Sequence, residues 1–379
     1  MAKSRAIFEE VSSKDKGSNA PVTGGIDAAR RGARGFLKGW LIVLFALVVM
    51  MIAVGGLTRL TDSGLSITEW RPVTGAIPPM NAADWASEFE KYQEIPEYQL
   101  QNKGMSMSEF KVIYWWEWGH RQLGRFVGLV WAIGFFGLLA TRQMPVGWTG
   151  KAALLGALGG SQGAIGWWMV SSGLDNGMLD VASYRLATHL GLAFVILGVI
   201  AWYVLQLSRS DGALIQARRL GEPVLAKLAI VLIALTGLQI LMGALVAGID
   251  AGRNYIDWPL MAGGFLPPDL FTLEPLWRNF FEDDGLVQFM HRMTGYILFG
   301  FGIFIWLRAR RSPNTQTRFA FNLVLAMMTV QMVLGIVTVM NSSPWELAIV
   351  HQFGAVVLWV LVLRARFLAI YPLAQSVRG

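Results

Sequence analysis

The 379 residues contain four histidines, His120, His189, His291 and His351, and each falls toward one end of an apolar segment long enough to cross a bilayer. An ionisable group inside such a segment is costly, and by default it marks a functional site. One of them alone could be a neutral histidine bonded to a neighbouring helix. Four at matching places call for a shared role. Neutral imidazole is a metal ligand, and two histidines from separate helices of a bundle are a standard axial arrangement for haem iron. Zinc competes for imidazole, but it usually recruits thiolates or clustered carboxylates, and these four histidines divide evenly between the two halves of the chain. Two haem sites fit that division better than one tetrahedral zinc site. With no cysteine in the chain, thiolate ligation, disulfides and covalent c-type attachment are excluded, and any haem is held non-covalently.

The residues around the histidines extend this chemistry. His120-Arg121-Gln122-Leu123-Gly124 and His291-Arg292-Met293-Thr294-Gly295 both read H-R-x-x-G. Positions i and i+4 share a helix face, so Gly124 and Gly295 leave room for a flat macrocycle, or for close packing of another helix. Arg121, Arg125, Arg185 and Arg292 stand where a haem's carboxylates could accept charge-assisted bonds, although interfacial snorkelling explains any single one as well. Glu117 lies three residues before His120 on the same face, whereas the equivalent position before His291 is Gln288, which keeps the shape and loses the charge. A carboxylate beside an iron porphyrin can move protons or stabilise a developing cation; the alternative is a plain interfacial acid.

The elements that position these residues are expected to be membrane helices. With 54% hydrophobic and 15% charged residues, the chain is too apolar for an ordinary soluble domain. Eight apolar runs have bilayer-crossing length: 40–57, 120–140, 152–171, 187–207, 228–249, 286–307, 319–340 and 347–363. The fold class expected is all-α integral membrane, with eight transmembrane helices. Placing the N-terminus inside puts 21 of the 32 Lys and Arg, but 6 of the 25 acids, on the inner side, as cytoplasmic retention of cations requires. Both termini are then cytoplasmic, and the net charge of +7 records topology, with no nucleic-acid partner implied.

Self-comparison indicates an internal duplication. Asp62-Ser63-Gly64, Trp70 and Pro78-Pro79 after the first run match Asp250-Ala251-Gly252, Trp258 and Pro267-Pro268 after the fifth. The expected organisation is a disordered cytoplasmic tail over 1–36, a four-helix bundle over 37–210 and a second over 222–370, parallel and related by an axis along the membrane normal. Arg30 and Arg31 read as positive-inside flanking and not as a twin-arginine signal, and Glu9, Glu10 and Asp15 argue against a transit peptide. In the first outer loop, Trp85, Phe89 and Tyr92 at helical spacing behind Asn81 predict a short amphipathic covering helix. At least two of Trp115, Trp116 and Trp118 read as an aromatic belt.

Taken together, E-W-G-H-R-x-x-G-R from Glu117, T-H-L around His189, H-R-x-x-G-Y from His291 and V-H-Q around His351 resemble the haem A synthase family, in its cysteine-free, proteobacterial or mitochondrial-like branch. The likeness runs over essentially the whole chain after the tail. It implies that His120 and His189, with Gly124, Arg121 and Arg125, hold the substrate haem O. It likewise implies that His291 and His351, with Gly295 and Arg292, hold a haem B cofactor, and that Glu117 is the catalytic group. The implied reaction is oxidation of a haem O ring methyl to a formyl group by successive hydroxylations, supplying haem A to terminal oxidases. Some members carry an outer-loop cysteine pair; its absence here rules out a thiol electron relay in this chain. The implied setting is a bacterial inner membrane, with haem O, the haem O synthase that supplies it and an unidentified electron donor as partners, and room for a homo-oligomer. A lateral gap near the outer leaflet would suit the farnesyl tail of haem O. A two-haem cytochrome passing electrons from quinol explains the four histidines equally, but not the Glu117 and Gln288 difference. A haem transporter or chaperone would need an exit route that sequence does not display.

Overall fold

The computed structural model describes residues 25–174 and 178–375. The chain runs through α1 (Gly25–Leu60), the short α2 (Ala82–Gln93) and α3 (Pro96–Leu100), and α4 (Met107–Ala140). It continues through α5 (Thr149–Val170), α6 (Ser183–Leu207) and the short α7 (Asp211–Arg219). The second part comprises α8 (Pro223–Gly248), the short α9 (Asn279–Glu282), α10 (Asp284–Ala309), α11 (Thr315–Met340) and α12 (Trp345–Ile370). Among the described residues there is no strand, only an isolated bridge between Met261 and Gly264.

Local sequence sets the starts. Pro96 and Pro223 occupy the first turns of α3 and α8, where a missing N–H costs nothing. Ser106 and Glu109 form a capping box that begins α4. The Asp283 side chain accepts from the Leu286 N–H at 2.7 Å and begins α10. α1 and α8 are both followed by an aspartate in the left-handed region, Asp62 at φ 47° and Asp250 at φ 53°, so the D-x-G match seen in sequence is also a match of backbone.

All eight apolar runs lie in long helices, with Ser171 and Ile249 as the C-caps of α5 and α8. Six of those helices, α1, α4, α6, α8, α11 and α12, are long and apolar enough to cross a membrane. α5 and α10 match the others in length but fall short in apolarity. The reason is composition, since α5 is rich in glycine and carries Lys151 and Gln162, while α10 carries Asp284, Arg292 and Arg308. Two further expectations change. Helix α1 begins at Gly25, so residues 25–36 of the segment expected to be structureless are helical; residues 1–24 of it lie outside the described residues. Helix α4 begins at Met107, well ahead of His120, because the capping box stops it earlier than hydropathy does.

α1, α4, α5 and α6 pack each against its neighbours, as do α8, α10, α11 and α12. The two sets meet along α6 with α8 and along α12 with α1 and α6. One core contains Leu41, Leu44, Leu197 and Ile200; the other contains Leu232, Ile305, Phe321 and Val362. Trp359 on α12 belongs to the first core and donates its indole N–H to the Phe194 carbonyl at 2.9 Å, joining the sets. Polar ties do the same elsewhere. Gln352 on α12 donates to the Ile52 carbonyl at 2.8 Å, and Arg59 on α1 reaches Asp62, Asp180 and Asp250.

The predicted covering helix is α2. Asn81 caps it by accepting from the Asp84 N–H at 2.9 Å, and Trp85, Phe89 and Tyr92 pack on Phe110 and Tyr114 of α4. Trp115 and Trp116 are exposed, as a belt requires, whereas Trp118 packs into this outer cluster. Beneath the cover, Glu97 is buried against Tyr92, which donates to it at 3.1 Å, and against Asn102, which donates at 3.2 Å. Burial pushes the Glu97 carboxyl up to about 8.

Candidate functional site

The four histidines resolve into two pairs. The charged or titratable groups near His120 are His189 and Arg121, and those near His291 are His351 and Arg292. Each pair therefore joins the second and fourth long helices of one set, α4 with α6 and α10 with α12.

Each imidazole lies against a glycine of the long helix that precedes it. A Cβ added at Gly55 on α1 would stand 3.1 Å from His120 Nε2, and one at Gly166 on α5 would stand 2.9 Å from His189 Cε1. The corresponding separation is 3.2 Å for Gly243 on α8 with His291, and again 3.2 Å for Gly335 on α11 with His351. A side chain at these positions would press on the rings, so the glycines ease their approach. Four residues before them stand Met51, Gln162, Gln239 and Gln331, on the same helix faces. Gln162 donates to the backbone carbonyl of His189 at 2.9 Å, with its amide nitrogen 3.3 and 3.4 Å from the two ring nitrogens. Gln239 repeats this on His291, at 3.1 Å to the carbonyl and 3.2 Å to both ring nitrogens. The amide oxygens of Gln162 and Gln239, and Nδ1 of His351, are buried without partners.

Glu117 is buried, and both its oxygens are engaged. Oε2 accepts from the Ser66 hydroxyl at 2.7 Å and the Ile67 N–H at 2.8 Å, and Oε1 accepts from Arg121 at 2.6 and 3.1 Å. Gln288 is buried at the equivalent place, and its amide donates to the Ala251 carbonyl at 2.9 Å and the Tyr255 carbonyl at 3.2 Å. Both side chains thus tie a helix to the loop after the preceding long helix.

The arrangement suits a flat metal macrocycle. The histidines fall two by two in the two helix sets, a glycine lies against each ring, and unpartnered buried polar atoms lie close by. Such a donor set, nitrogen from paired histidines without thiolate, is one that haem iron accepts.

Comparison with known proteins agrees with this chemistry. Residues 38–363 match the family model described as cytochrome oxidase assembly protein, COX15-CtaA. A protein of Ruegeria sp. (strain TM1040) named heme A synthase is 64% identical over 377 residues, covering 99% of each chain. The heme A synthase of Dinoroseobacter shibae is 65% identical over 380 residues, covering 100% of this chain and 99% of its own. That of Paracoccus denitrificans is 59% identical over 375 residues, with 99% and 98% covered. The chain belongs to the haem A synthase family.

In this family member Arg121, Arg125 and Arg292 are committed to the loops that follow α1 and α8. Arg121 donates to the Ile67 and Glu69 carbonyls at 2.8 and 3.1 Å, and Arg292 donates to the Tyr255 and Leu260 carbonyls, both at 2.9 Å. Arg125 holds the Arg71 and Pro72 carbonyls and keeps one buried Nη1 without a partner. Arg185 lies over the Trp168 ring and donates to the Trp168 carbonyl. A Cβ added at Gly124 would stand 3.6 Å from the Met51 methyl and one at Gly295 3.3 Å from the Gln239 amide nitrogen, so the side chains nearest these glycines come from the preceding long helix. The glutamines and the glycines one turn after them went unread in the sequence. Their signal was the Q-x-x-x-G repeat at Gln162, Gln239 and Gln331, with Met51 and Gly55 at the fourth position.

Proposed function

We propose that the chain is a haem A synthase, oxidising a ring methyl of haem O to a formyl group by successive hydroxylations. The carrying observation is that four histidines, two in each helix set and each against a glycine, occur in a chain alike, over its full length, to proteins bearing that name. In this reading, His120 and His189 bind the substrate haem O, while His291 and His351 hold haem B. Haem B held by His291 and His351 would supply a one-electron redox centre. Gly55, Gly166, Gly243 and Gly335 admit the imidazoles, and Arg121, Arg125 and Arg292 fix the outer loops over the two sites, with Nη1 of Arg125 free to meet a carboxylate. Glu117 acts at the substrate side, either on a proton or by holding Ser66, Ile67 and Arg121 in place.

The same reading takes all eight long helices as membrane-crossing, arranged as two duplicated four-helix bundles, 37–210 and 222–370, with both termini on the cytoplasmic side of a bacterial inner membrane. What supports it is the repeated contact of histidine with glycine in both sets and the matched left-handed Asp62 and Asp250. The weaker apolarity of α5 and α10 is compatible with spanning because their polar side chains are engaged within the protein: Gln162 meets His189 of α6, and Arg292 donates to Gln288 one turn earlier and to the Tyr255 and Leu260 carbonyls of the loop after α8. An apolar cleft of about 500 Å³ between α6 and α8, lined by Thr188, Gly191, Phe194, Gly237, Leu241 and Trp359, suits the farnesyl chain of haem O. Haem O synthase as donor, a separate electron donor and a homo-oligomer belong to this proposal as partners.

The test is extraction and identification of the haems bound to the purified chain, with haem A formation followed in cells that supply haem O and lack their own synthase. Haem B together with haem O or haem A is expected. Haem B alone, with no haem A formed, would leave a cytochrome and refute the synthase reading.

A further inference from the structure

The two glutamines that reach histidines do so asymmetrically. Gln162 on α5 holds the second histidine of its pair, His189, whereas Gln239 on α8 holds the first of the other pair, His291. The remaining two histidines lack this contact. At the place corresponding to Gln239, α1 offers Met51, whose methyl faces Gly124, and Gln331 of α11 packs against Gly354, with its amide nitrogen unpartnered. Each pair therefore contains one histidine tied by a glutamine and one that is not.

The tie has two ends. The amide nitrogen donates to the histidine's own backbone carbonyl, which fixes the amide beside the ring. The amide oxygen is left buried and unpartnered at both sites, and a buried acceptor without a donor is costly. An imidazole that binds metal through Nε2 carries its proton on Nδ1 and almost always donates it to a carboxylate, carbonyl or water. The amide nitrogen stands 3.2–3.4 Å from both ring nitrogens, and the unfilled oxygen belongs to the same amide, so a rotation of the ring or of the amide brings it to Nδ1.

We propose that Gln162 and Gln239 are positioning residues for His189 and His291, each amide orienting the imidazole and accepting its Nδ1–H once Nε2 binds iron. This rests on the reading of the histidines as haem ligands. Met51 shows what the corresponding place is like without the amide. Simple interhelical bonding is the competing account, and it uses only the donated bond to the carbonyl.

Gln239→Met and Gln239→Glu separate the two, because Glu cannot donate to the carbonyl but accepts more strongly from Nδ1–H than an amide does. Haem B content and midpoint potential are measured on the purified full chain, beside His291→Ala and Gln162→Met. Gln239→Glu is expected to retain haem B with a lowered potential. Gln239→Met is expected to bind haem B roughly 10- to 100-fold more weakly, with a raised potential in what remains. Gln162→Met should leave the haem B potential unchanged. If the Met and Glu variants of Gln239 behave alike, whether both match the parent or both lose haem B, the proposal is wrong. Should His291→Ala keep its haem B, the underlying reading of the ligands fails instead.

Discussion

Glu117 and Gln288 perform one mechanical task with opposite hydrogen-bond polarity toward the loop, while each accepts from the arginine four residues on, Arg121 and Arg292. The Glu117 carboxylate faces donors, Ile67 N–H, the Ser66 hydroxyl and Arg121, while the Gln288 amide faces the carbonyls of Ala251 and Tyr255. The loss of charge between the halves therefore accompanies a change in which backbone groups the loop presents. Glutamine at 117 is isosteric but not equivalent, since its amide nitrogen confronts an N–H in either orientation. Leaving a buried donor unpaired costs about 1–3 kcal/mol. Glu117→Gln is expected to lower the melting temperature of the purified protein as well as its haem A yield, and Gln288→Glu to lower the melting temperature too. An unchanged melting temperature with lost haem A formation would show that the Glu117 role is purely chemical.

Replacing axial candidates should divide the molecule cleanly. His291→Ala and His351→Ala are each expected to abolish the haem B absorbance. His120→Ala and His189→Ala should preserve it while removing haem O binding or conversion. A normal haem B spectrum in both C-terminal variants would overturn the pairing.

The glycines against the rings offer a gentler perturbation. Alanine at Gly166 places a Cβ 2.9 Å from His189 Cε1, and alanine at Gly243 places one 3.2 Å from His291 Cε1. Displacement of a reacting group by about 1 Å can cost on the order of 10²-fold in rate, so Gly166→Ala should reduce haem A formation by up to that factor with haem B content intact. Gly243→Ala should instead lower haem B content. Parental haem levels and haem A yield in both variants would mean that the rings do not need this approach.

Glu97 gives the outer cover a pH dependence. Its carboxyl is raised by burial from 4.5 to about 8, so the folded state holds a proton that the unfolded state releases. The contribution is fully present below pH 4.5 and is lost as pH rises to about 8. Melting curves of the purified chain at pH 5 and at about pH 8 should show the parent losing more stability than Glu97→Gln over that interval. Equal slopes for the two proteins would exclude a buried, protonated Glu97.

The sequence by itself determined the kinds of element and the chemistry. Hydropathy located the eight long helices of the described residues, because bilayer-crossing length is a one-dimensional property, and the absence of cysteine excluded thiolate ligation. The α2 cover was legible for the same reason, since the Asn81 cap and the spacing of Trp85, Phe89 and Tyr92 are local. Tertiary structure decided what depends on a partner's orientation. Whether Arg121 and Arg292 meet a ligand or a loop, and whether position 117 needs an acceptor where 288 needs a donor, turns on backbone groups brought in from residues about 50 and 37 positions away. Glutamine and glycine in the preceding helices carry no hydropathy signal that ties them to a histidine. They acquire that meaning only when α5 packs on α6 and α8 on α10 and the side chains of two helices share one space.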